Sequence, residues 1–443
     1  MTEVTRALAE FAATAEVPEP VREEAKRSIL NGLATGIAGA EDDAVRIAQA
    51  TLDRLEPGRG VGLIARDQEA GPLTAAFLNA MAINVHDFDD THPGTILHST
   101  APVLPVLLSL AAQQTVSGRA FLEAYAVGVE VECRVANAVS PGHYRRGWHI
   151  TGTCGVFGAA AAAGRILGLT AGQMVDAFGS ASAQSSGLVE TLGYMAKSVG
   201  VGGAARGGLL AAWLAKDGLS GPAAPLEGPR GFLRVTSDAP DFEQAMPLIG
   251  GKWELMRITY KPYPCGVVLN PVIEAALTLG GGKSHAPGEI ASVTVTGHPL
   301  LAERADRPSP ESGRTAQVSA QHAVAACFGR AAAGLPEFSD AAVADAALTE
   351  LRAKVVVVQD ESYPVGAARV DVALADGGTR TETVDVAEGD LGRPLSTERL
   401  QQKLADLVAL GGSGCDPVAI AEAVLGLDRA DDAAPILRLV RPG

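Results

Sequence analysis

A dense polar stretch, Asn84-Val85-His86-Asp87-Phe88-Asp89-Asp90-Thr91-His92-Pro93-Gly94-Thr95-Ile96-Leu97-His98-Ser99, lies between two apolar segments at residues 73–85 and 101–110. The stretch holds three of the chain's eight histidines and three aspartates. Polar groups between two buried helices need partners, because burying them without hydrogen bonds is costly. The pattern therefore indicates an active-site corner between two helices.

The spacing within this stretch suggests how the corner is built. Asp87 and Thr91 are four residues apart, so they share one helix face if the helix over about 73–88 continues that far. The sequence His92-Pro93-Gly94 then breaks the helix, which allows His98 to fold back toward it.

The residue types in the stretch are compatible with several kinds of site. Nitrogen and oxygen ligands could bind zinc, iron or manganese, and an aspartate-rich helix could hold magnesium as in a terpenoid-type cyclase. Metal-free acid–base chemistry by Asp, Thr and His is the third possibility. A capped, solvated helix end without function is the fourth. The metal ligands would come from His86, Asp87, His92 and His98, and the magnesium ligands from Asp87, Asp89 and Asp90.

Composition excludes several classes of partner. A net charge of −15 argues against nucleic acid and against an anionic membrane surface. Five scattered cysteines without a CxxC motif suit reduced thiols in a cytoplasmic protein. The start of the chain lacks the layout of a signal peptide. The longest apolar segment, 156–169, contains Arg165 and predicts a buried helix rather than a membrane span.

The 443 residues predict two domains. Apolar residues at helical spacing predict a helical domain over 1–258, completed by C-terminal helices at 394–443. Alternating and β-branched segments predict a smaller α+β domain over 259–393, with a hairpin turning at Asp376-Gly377-Gly378. The Ala/Gly-rich helices at 156–168 and 203–215 are apolar around most of their circumference, so we expect a homodimer formed through the helical domain.

Three further motifs carry polar residues beside small ones. His149 lies in Gly147-Trp-His-Ile-Thr-Gly-Thr153, before an Ala-rich helix whose open start favours anions. Lys197 precedes the glycine-rich start of another predicted helix, which also contains Arg206, and both side chains are candidates for binding a carboxylate. Lys261 lies in Lys261-Pro-Tyr-Pro-Cys265 at the domain change, where two prolines make the segment rigid. Cys265 would need a paired base to act as a nucleophile.

Together these motifs resemble the MmgE/PrpD family. The matching segments are NVHDFDDTHPGTILHS, GWHITGTCGVFGAAAAAGRILGL, GYMAKSVGVGGAARGGLLAA and KPYPCG, in the family's order over about residues 5–430. The family includes 2-methylcitrate dehydratase, cis-aconitate decarboxylase and iminodisuccinate epimerase. The resemblance implies a mainly α architecture, with a large helical domain plus an α+β lid domain, usually dimeric, and a site in the cleft between them.

The resemblance also assigns roles to residues. It implies that Asp87, Thr91, His98 and His149 are catalytic and that Lys197 and Lys261 bind the substrate. Two positions depart from the family pattern. Asn270 stands where many members have a histidine, and His322 stands where many have a tyrosine. We therefore expect Asn270 to orient a substrate oxygen and His322 to transfer protons near neutral pH.

These observations predict a cytoplasmic enzyme that needs no cofactor and no metal. Its substrate is expected to be a small di- or tricarboxylic acid, and its reaction is proton abstraction beside a carboxylate with elimination, as in a dehydratase or decarboxylase. One alternative is an epimerase of an amino- or imino-dicarboxylate. Further alternatives are a carboxylate-binding protein without activity and a metal-dependent hydrolase.

Overall fold

A computed structural model describes residues 3–248 and 251–442, and the chain forms two compact units. Unit 1 comprises Met1–Val85, Asp89–Ile258 and Ser396–Gly443, and unit 2 comprises His86–Phe88 and Thr259–Leu395. The boundaries that the sequence predicts lie at 258/259 and 393/394. The short contribution of His86–Phe88 to unit 2 was not predicted.

Helices dominate the described part of the chain. The α-helices are α1 (Val4–Thr14), α2 (Glu19–Gly39), α3 (Asp43–Leu55), α4 (Pro72–Asn84), α5 (Thr100–Ala111), α6 (Gly118–Val139), α7 (Gly142–Arg145), α8 (Ile150–Leu167), α9 (Ala171–Ser182), α10 (Ala196–Lys216), α11 (Phe232–Thr236), α12 (Asn270–Gly280), α13 (Pro299–Ala305), α14 (Gly313–Ala316), α15 (Ala320–Arg330), α16 (Asp340–Val343), α17 (Ala346–Arg352), α18 (Thr397–Gly411), α19 (Pro417–Leu425) and α20 (Ala434–Leu439). The strands are β1 (Val61–Gly62), β2 (Glu69–Ala70), β3 (Asp90–Thr91), β4 (Thr259–Tyr260), β5 (Ile290–Gly297), β6 (Val355–Gln359), β7 (Ala368–Leu374) and β8 (Thr379–Val384). A mainly α fold with a smaller α+β part is confirmed.

Helix α8 forms the centre of unit 1 and packs against α5, α6, α9 and α10. By length and composition it is apolar enough to cross a membrane, but 89% of it is buried within the chain. This is the environment of a core helix, as the sequence predicts. The C-terminal helices complete unit 1, since α18 and α19 pack against α2 and α20 packs against α5.

Glycines allow the central helices to approach each other closely. A Cβ added at Gly208 of α10 would lie 2.7 Å from the backbone of Val156 and Ala160 in α8. A Cβ at Gly128 of α6 would lie 2.9 Å from the backbone oxygen of Gly158. The low aromatic content of the chain, 4%, therefore fits a core built on close backbone contacts.

The apolar faces that suggested a homodimer are largely covered inside unit 1. Nearly every residue of α8 is buried, and α10 buries about half of its residues. The reason for expecting a homodimer from these two helices is thus removed, because the chain itself buries the surface in question. A homodimer remains a prediction.

Unit 2 contains a four-stranded sheet in the order β6-β5-β7-β8. Strand β5 pairs parallel with β6 and antiparallel with β7, and β7 pairs antiparallel with β8. The predicted hairpin is confirmed, and Gly377 in its turn has φ +89°, a conformation that glycine adopts without strain. Helices α12 and α15 pack together beside this sheet.

Several predicted helix boundaries are wrong. The helix expected to reach residue 88 ends at Asn84, and the helix expected from 203 begins at Ala196. Within the α+β domain the sequence also predicts one helix over about 314–333 and one over about 338–352, and the structure divides each of them into two. Side-chain caps explain these divisions, because Ser319 and Asp345 accept hydrogen bonds from the backbone at the start of α15 and α17.

The close contact of α8 and α10 gives a stability prediction. Gly208→Ala should lower the free energy of unfolding by about 1–3 kcal/mol, because the added methyl overpacks the contact. Gly203→Ala on the same helix is the matched control, since nothing lies within 4 Å of its added Cβ. It should be neutral or stabilise by about 0.5–1 kcal/mol. Urea unfolding of both variants measures the difference, and equal effects would contradict it.

Candidate active site

The polar stretch begins where α4 ends. The helix stops at Asn84, and Asp87 has φ +52°, in the left-handed region that aspartate tolerates better than most residues. Thr91 lies in β3. The expectation that Asp87 and Thr91 share a helix face is therefore wrong, because the chain turns between them.

A tight turn returns His98 toward the helices. The carbonyl oxygen of His92 accepts hydrogen bonds from Thr95 N and Ile96 N, at 3.1 and 2.8 Å, and His92 N donates to Leu97 O at 2.8 Å. Ile96 has φ +59°, which is strained for a β-branched residue. The predicted break after His92 and the return of His98 are thus present in the structure.

A buried ion-pair network holds His92. Its Nε2 lies 2.9 Å from Glu254 Oε2, and its Nδ1 lies 2.9 Å from Thr95 Oγ1. Glu254 also pairs with Arg134 at 2.7 Å, and Arg134 pairs with Glu130 at 2.7 Å. Burial alone would raise the pKa of Glu254, but the contacts with His92 and Arg134 outweigh it, and the pKa falls below its ordinary value. This makes His92 an anchor of the turn.

His98 lies beside a fully buried carboxylate. Its Nδ1 is 3.0 Å from Asp89 Oδ1, and Asn84 Nδ2 donates to Asp89 Oδ2 at 2.9 Å. The backbone N–H of His98 donates to Thr151 Oγ1 at 3.1 Å. Asp89 is 0% exposed and His98 is 7% exposed. The end of α4, the turn and the first residues of α8 therefore all hold this histidine in place.

The neighbouring carboxyl group of Asp90 serves α5. It accepts hydrogen bonds from the Ser99 hydroxyl and from Thr100 N, the latter at 3.2 Å. Burial raises its pKa, and the adjacent charge of Asp89 raises it further. The hydroxyl of Thr100 continues inward to Tyr125 at 2.6 Å. Asp90 therefore ties the turn to the core.

The starts of α8 and α10 lie close together. His149 is the N-cap residue of α8, and Lys197 is the second residue of α10. A Cβ added at Gly152 would lie 3.4 Å from the carbonyl oxygen of Gly200, and one at Gly187 would lie 3.5 Å from the Cβ of His149. Two helix N-termini with a histidine and a lysine thus converge, which favours binding of an anion.

Arg206, predicted to bind the substrate, lies farther along α10. Its guanidinium pairs with Glu56 at 2.7 Å, and both side chains are about one-third or more exposed. Glu56 therefore already neutralises the charge of Arg206. Its role in substrate binding stays a prediction.

Unit 2 contains the pair formed by Asp87 and Lys261. Lys261 Nζ donates to Asp87 Oδ2 at 2.9 Å and to the Asp87 carbonyl oxygen at 2.8 Å, and Lys261 is only 3% exposed. Gln317 Nε2 donates to the carbonyl oxygen of His86 at 2.6 Å. These contacts explain why His86–Phe88 belongs to unit 2.

Asn270 and Cys265 are neighbours in unit 2. Asn270 begins α12 and is 7% exposed, and its Oδ1 lies 3.9 Å from Cys265 Sγ. Burial raises the pKa of the Cys265 thiol to about 12, so it stays protonated at neutral pH. This agrees with the low expectation for a nucleophilic cysteine.

His322 lies in the core of unit 2. Its Nε2 donates to Glu337 O at 2.7 Å, and its Nδ1 accepts from Arg352 Nη1 at 3.0 Å. Burial lowers its pKa below 6.5, and the charge of Arg352 lowers it further. Both nitrogens thus serve the fold. Proton transfer by His322 remains a prediction, but these contacts favour a structural role.

The sequence reasoning missed the group around His98. Asp89 was considered only as a magnesium ligand, and Asn84 and Thr151 were given no role. A signal was present, because Asn84 is a polar residue at the end of a largely apolar helix. The tight turn that brings His98 to Asp89 depends on tertiary contacts of His92 and could not be derived from spacing.

The fold defines a class of mainly helical proteins with an additional α+β unit. The N-terminal domain model of the MmgE/PrpD family matches residues 6–245, and its C-terminal domain model matches residues 263–427. The chain belongs to the MmgE/PrpD family.

Relatives of known name agree with this assignment. The chain is 30% identical to a cis-aconitate decarboxylase of Aspergillus terreus over an alignment of 465 residues including gaps. This alignment covers 97% of this chain and 93% of the relative. It is 28% identical to a cis-aconitate decarboxylase-like protein of Aspergillus oryzae, over 96% of this chain and 94% of that protein. It is 27% identical to the cis-aconitate decarboxylase of Homo sapiens, over 86% and 82%. These relatives support an enzyme of the lyase kind.

The contacts of His322 predict the behaviour of one variant. His322→Phe should lower the free energy of unfolding by about 1–3 kcal/mol, because it leaves Arg352 and Glu337 O without this partner. Both limbs of the pH profile of kcat/KM should remain. Urea unfolding and a pH–rate profile measure the two effects. Loss of one limb together with a large loss of rate would instead restore His322 as a proton carrier.

Proposed function

We propose that the chain is a cofactor-independent lyase that removes CO2 from a small tricarboxylic acid resembling cis-aconitate. The observation that carries this proposal is the buried His98–Asp89 pair, linked through Thr151 to the start of α8. A histidine with a fixed orientation can donate or accept a proton at its second nitrogen. The names of the relatives support the choice of a decarboxylase within the family.

A tricarboxylate brings up to three negative charges, so its site needs positive charge and helix N-termini, whose dipoles favour an anion. In unit 1, Lys197 and the converging starts of α8 and α10 offer both. Lys261, the lysine of the KPYPCG segment, lies in unit 2, where Asp87 already pairs with its ammonium group, and its binding of the substrate stays a prediction. Net negative charge elsewhere on the chain does not oppose such local binding.

Decarboxylation breaks the bond between a carbon and its carboxylate, and the electron pair of that bond stays behind. In an unsaturated tricarboxylate this pair forms a new double bond to the adjacent carbon. The old double bond then takes up one proton at its far carbon. His98 in its doubly protonated form delivers that proton from Nε2, and the neutral ring that remains then takes up a proton from solvent, so one proton is consumed for each CO2 released.

Product analysis in D2O tests the reaction. The purified protein should convert cis-aconitate with release of one CO2, and the product should carry one deuterium on the carbon that was protonated. Proton and carbon NMR detect both changes. 2-Methylcitrate and an amino- or imino-dicarboxylate are tested in parallel, with and without a chelator.

Other outcomes would replace the proposal. Loss of water without CO2 would identify a dehydratase, and exchange of a C–H proton with inversion would identify an epimerase. Binding of these acids without turnover would indicate a carboxylate-binding protein. Loss of activity on removal of a stoichiometric metal would contradict the cofactor-independent mechanism.

Lys197 provides a second test. Lys197→Met should lower kcat/KM by about ten- to hundredfold, because a charge-assisted contact with a carboxylate contributes about 1.5–3 kcal/mol. Lys216→Met is the matched control at the other end of α10, where the lysine lies over the ring of Trp213. Steady-state kinetics of both variants should show a loss only in the first. An equal effect of the two changes would remove Lys197 from the site.

A further inference from the structure

Asp89 is a buried carboxylate beside the ring of His98. It is 0% exposed, it contacts His98 Nδ1 at 3.0 Å, and its other oxygen accepts from Asn84 at 2.9 Å. We propose that Asp89, held by Asn84, is a positioning residue that keeps the proton of neutral His98 on Nδ1 and so leaves Nε2 as the atom that exchanges protons with the substrate. This inference rests on the proposed function for the role of His98.

The chemistry of the two groups dictates the tautomer. A carboxylate has only acceptor positions, and Asp89 Oδ1 lies 3.0 Å from Nδ1, so its charge favours a proton on that ring nitrogen over one on Nε2. The energy of this contact is large, because Asp89 is shielded from water and an unpaired buried charge is costly. The other nitrogen of the neutral ring is then an acceptor.

The surroundings restrict the freedom of both partners. The amide of Asn84 occupies the second oxygen of Asp89, so the carboxylate is held from the end of α4. The backbone of His98 is held by the Thr151 hydroxyl and by the turn that begins at His92. A flip of the His98 ring would break the contact between Nδ1 and Asp89, so the ring orientation that keeps this contact is favoured.

Asp90 shows that an adjacent carboxyl group need not have this role. Its oxygens accept from the Ser99 hydroxyl and from Thr100 N, at the start of α5. The two neighbouring aspartates thus differ in function, although the sequence presents them as a pair. Asp90 supports a helix, and Asp89 orients a histidine.

The test uses Asp89→Asn in the full chain. An amide can donate its NH2 group to Nδ1, so the ring should shift toward the tautomer with its proton on Nε2. The expected result is an exchange of the two ¹⁵N chemical shifts of His98 in histidine-labelled protein, with a fall in kcat of about a hundredfold or more and little change in KM. His98→Gln identifies the signals of this residue.

Asp90→Asn is the matched control, because it makes the same chemical change at a buried carboxyl group one residue later. It should lower stability while leaving the ¹⁵N pattern of His98 unchanged. If Asp89→Asn does not fold, Asn84→Ala serves instead, since it keeps the carboxylate but removes the donor that holds it. That variant should show a mixture of the two His98 tautomers and a fall in kcat of about tenfold.

The two measurements separate this inference from the proposed function. The tautomer of His98 is observed without substrate, so a shift in Asp89→Asn supports the positioning role even if none of the acids tested is converted. Unchanged His98 signals in Asp89→Asn, or in Asn84→Ala where the first does not fold, would overturn the inference. An active wild-type enzyme whose kcat is unaffected by either change would do the same.

Discussion

The close approach of α8 and α10 is the constraint on which the rest of unit 1 depends. Gly208 allows the two helices to meet along their backbones, and Gly152, Gly187 and Gly200 allow their starts to meet as well. A larger side chain at Gly208 would push the two helices apart. His149 caps α8 and Lys197 lies in the first turn of α10, so the packing of the two helices sets the electrostatics at their starts.

The turn at His92 depends on a different kind of interaction. Arg134, Glu130 and Glu254 form a buried network whose charges are paired with one another, and His92 joins it through Glu254. Such networks add little to stability compared with an apolar core, but breaking one member is costly. Their benefit here is geometric, because the network fixes the turn that carries His98 and accommodates the strained Ile96.

Much of the fold followed from the sequence because it is encoded locally. The hairpin at Gly377 and the buried helix around 156–169 both appear as expected. The errors occur where tertiary contacts decide. The chain after Asn84 has no local signal for a left-handed Asp87. Gly200 and Gly202 lie inside α10, where Gly202 packs closely against Phe77 of α4.

The site residues show the same difference between what local sequence encodes and what tertiary contacts decide. The family motifs identified His98, His149 and Lys261, and all three are buried in the structure at 7%, 4% and 3% exposure. Motifs could not reveal that Asp89 faces His98 while Asp90 faces Ser99, because both aspartates look alike in the sequence. That distinction depends on the direction of each side chain after a turn.

The brief contribution of His86–Phe88 to unit 2 has a consequence for how this protein can be divided. A fragment over 259–395 would lack the two oxygens of Asp87, one carboxylate and one carbonyl, that accept hydrogen bonds from the buried ammonium of Lys261. It would also lack the carbonyl oxygen of His86, which accepts a hydrogen bond from Gln317. Unit 2 is therefore not a module that can be cut out or transplanted as one continuous piece of chain. A complete unit 2 needs His86–Phe88 as well, and these three residues are far from 259–395 in the sequence.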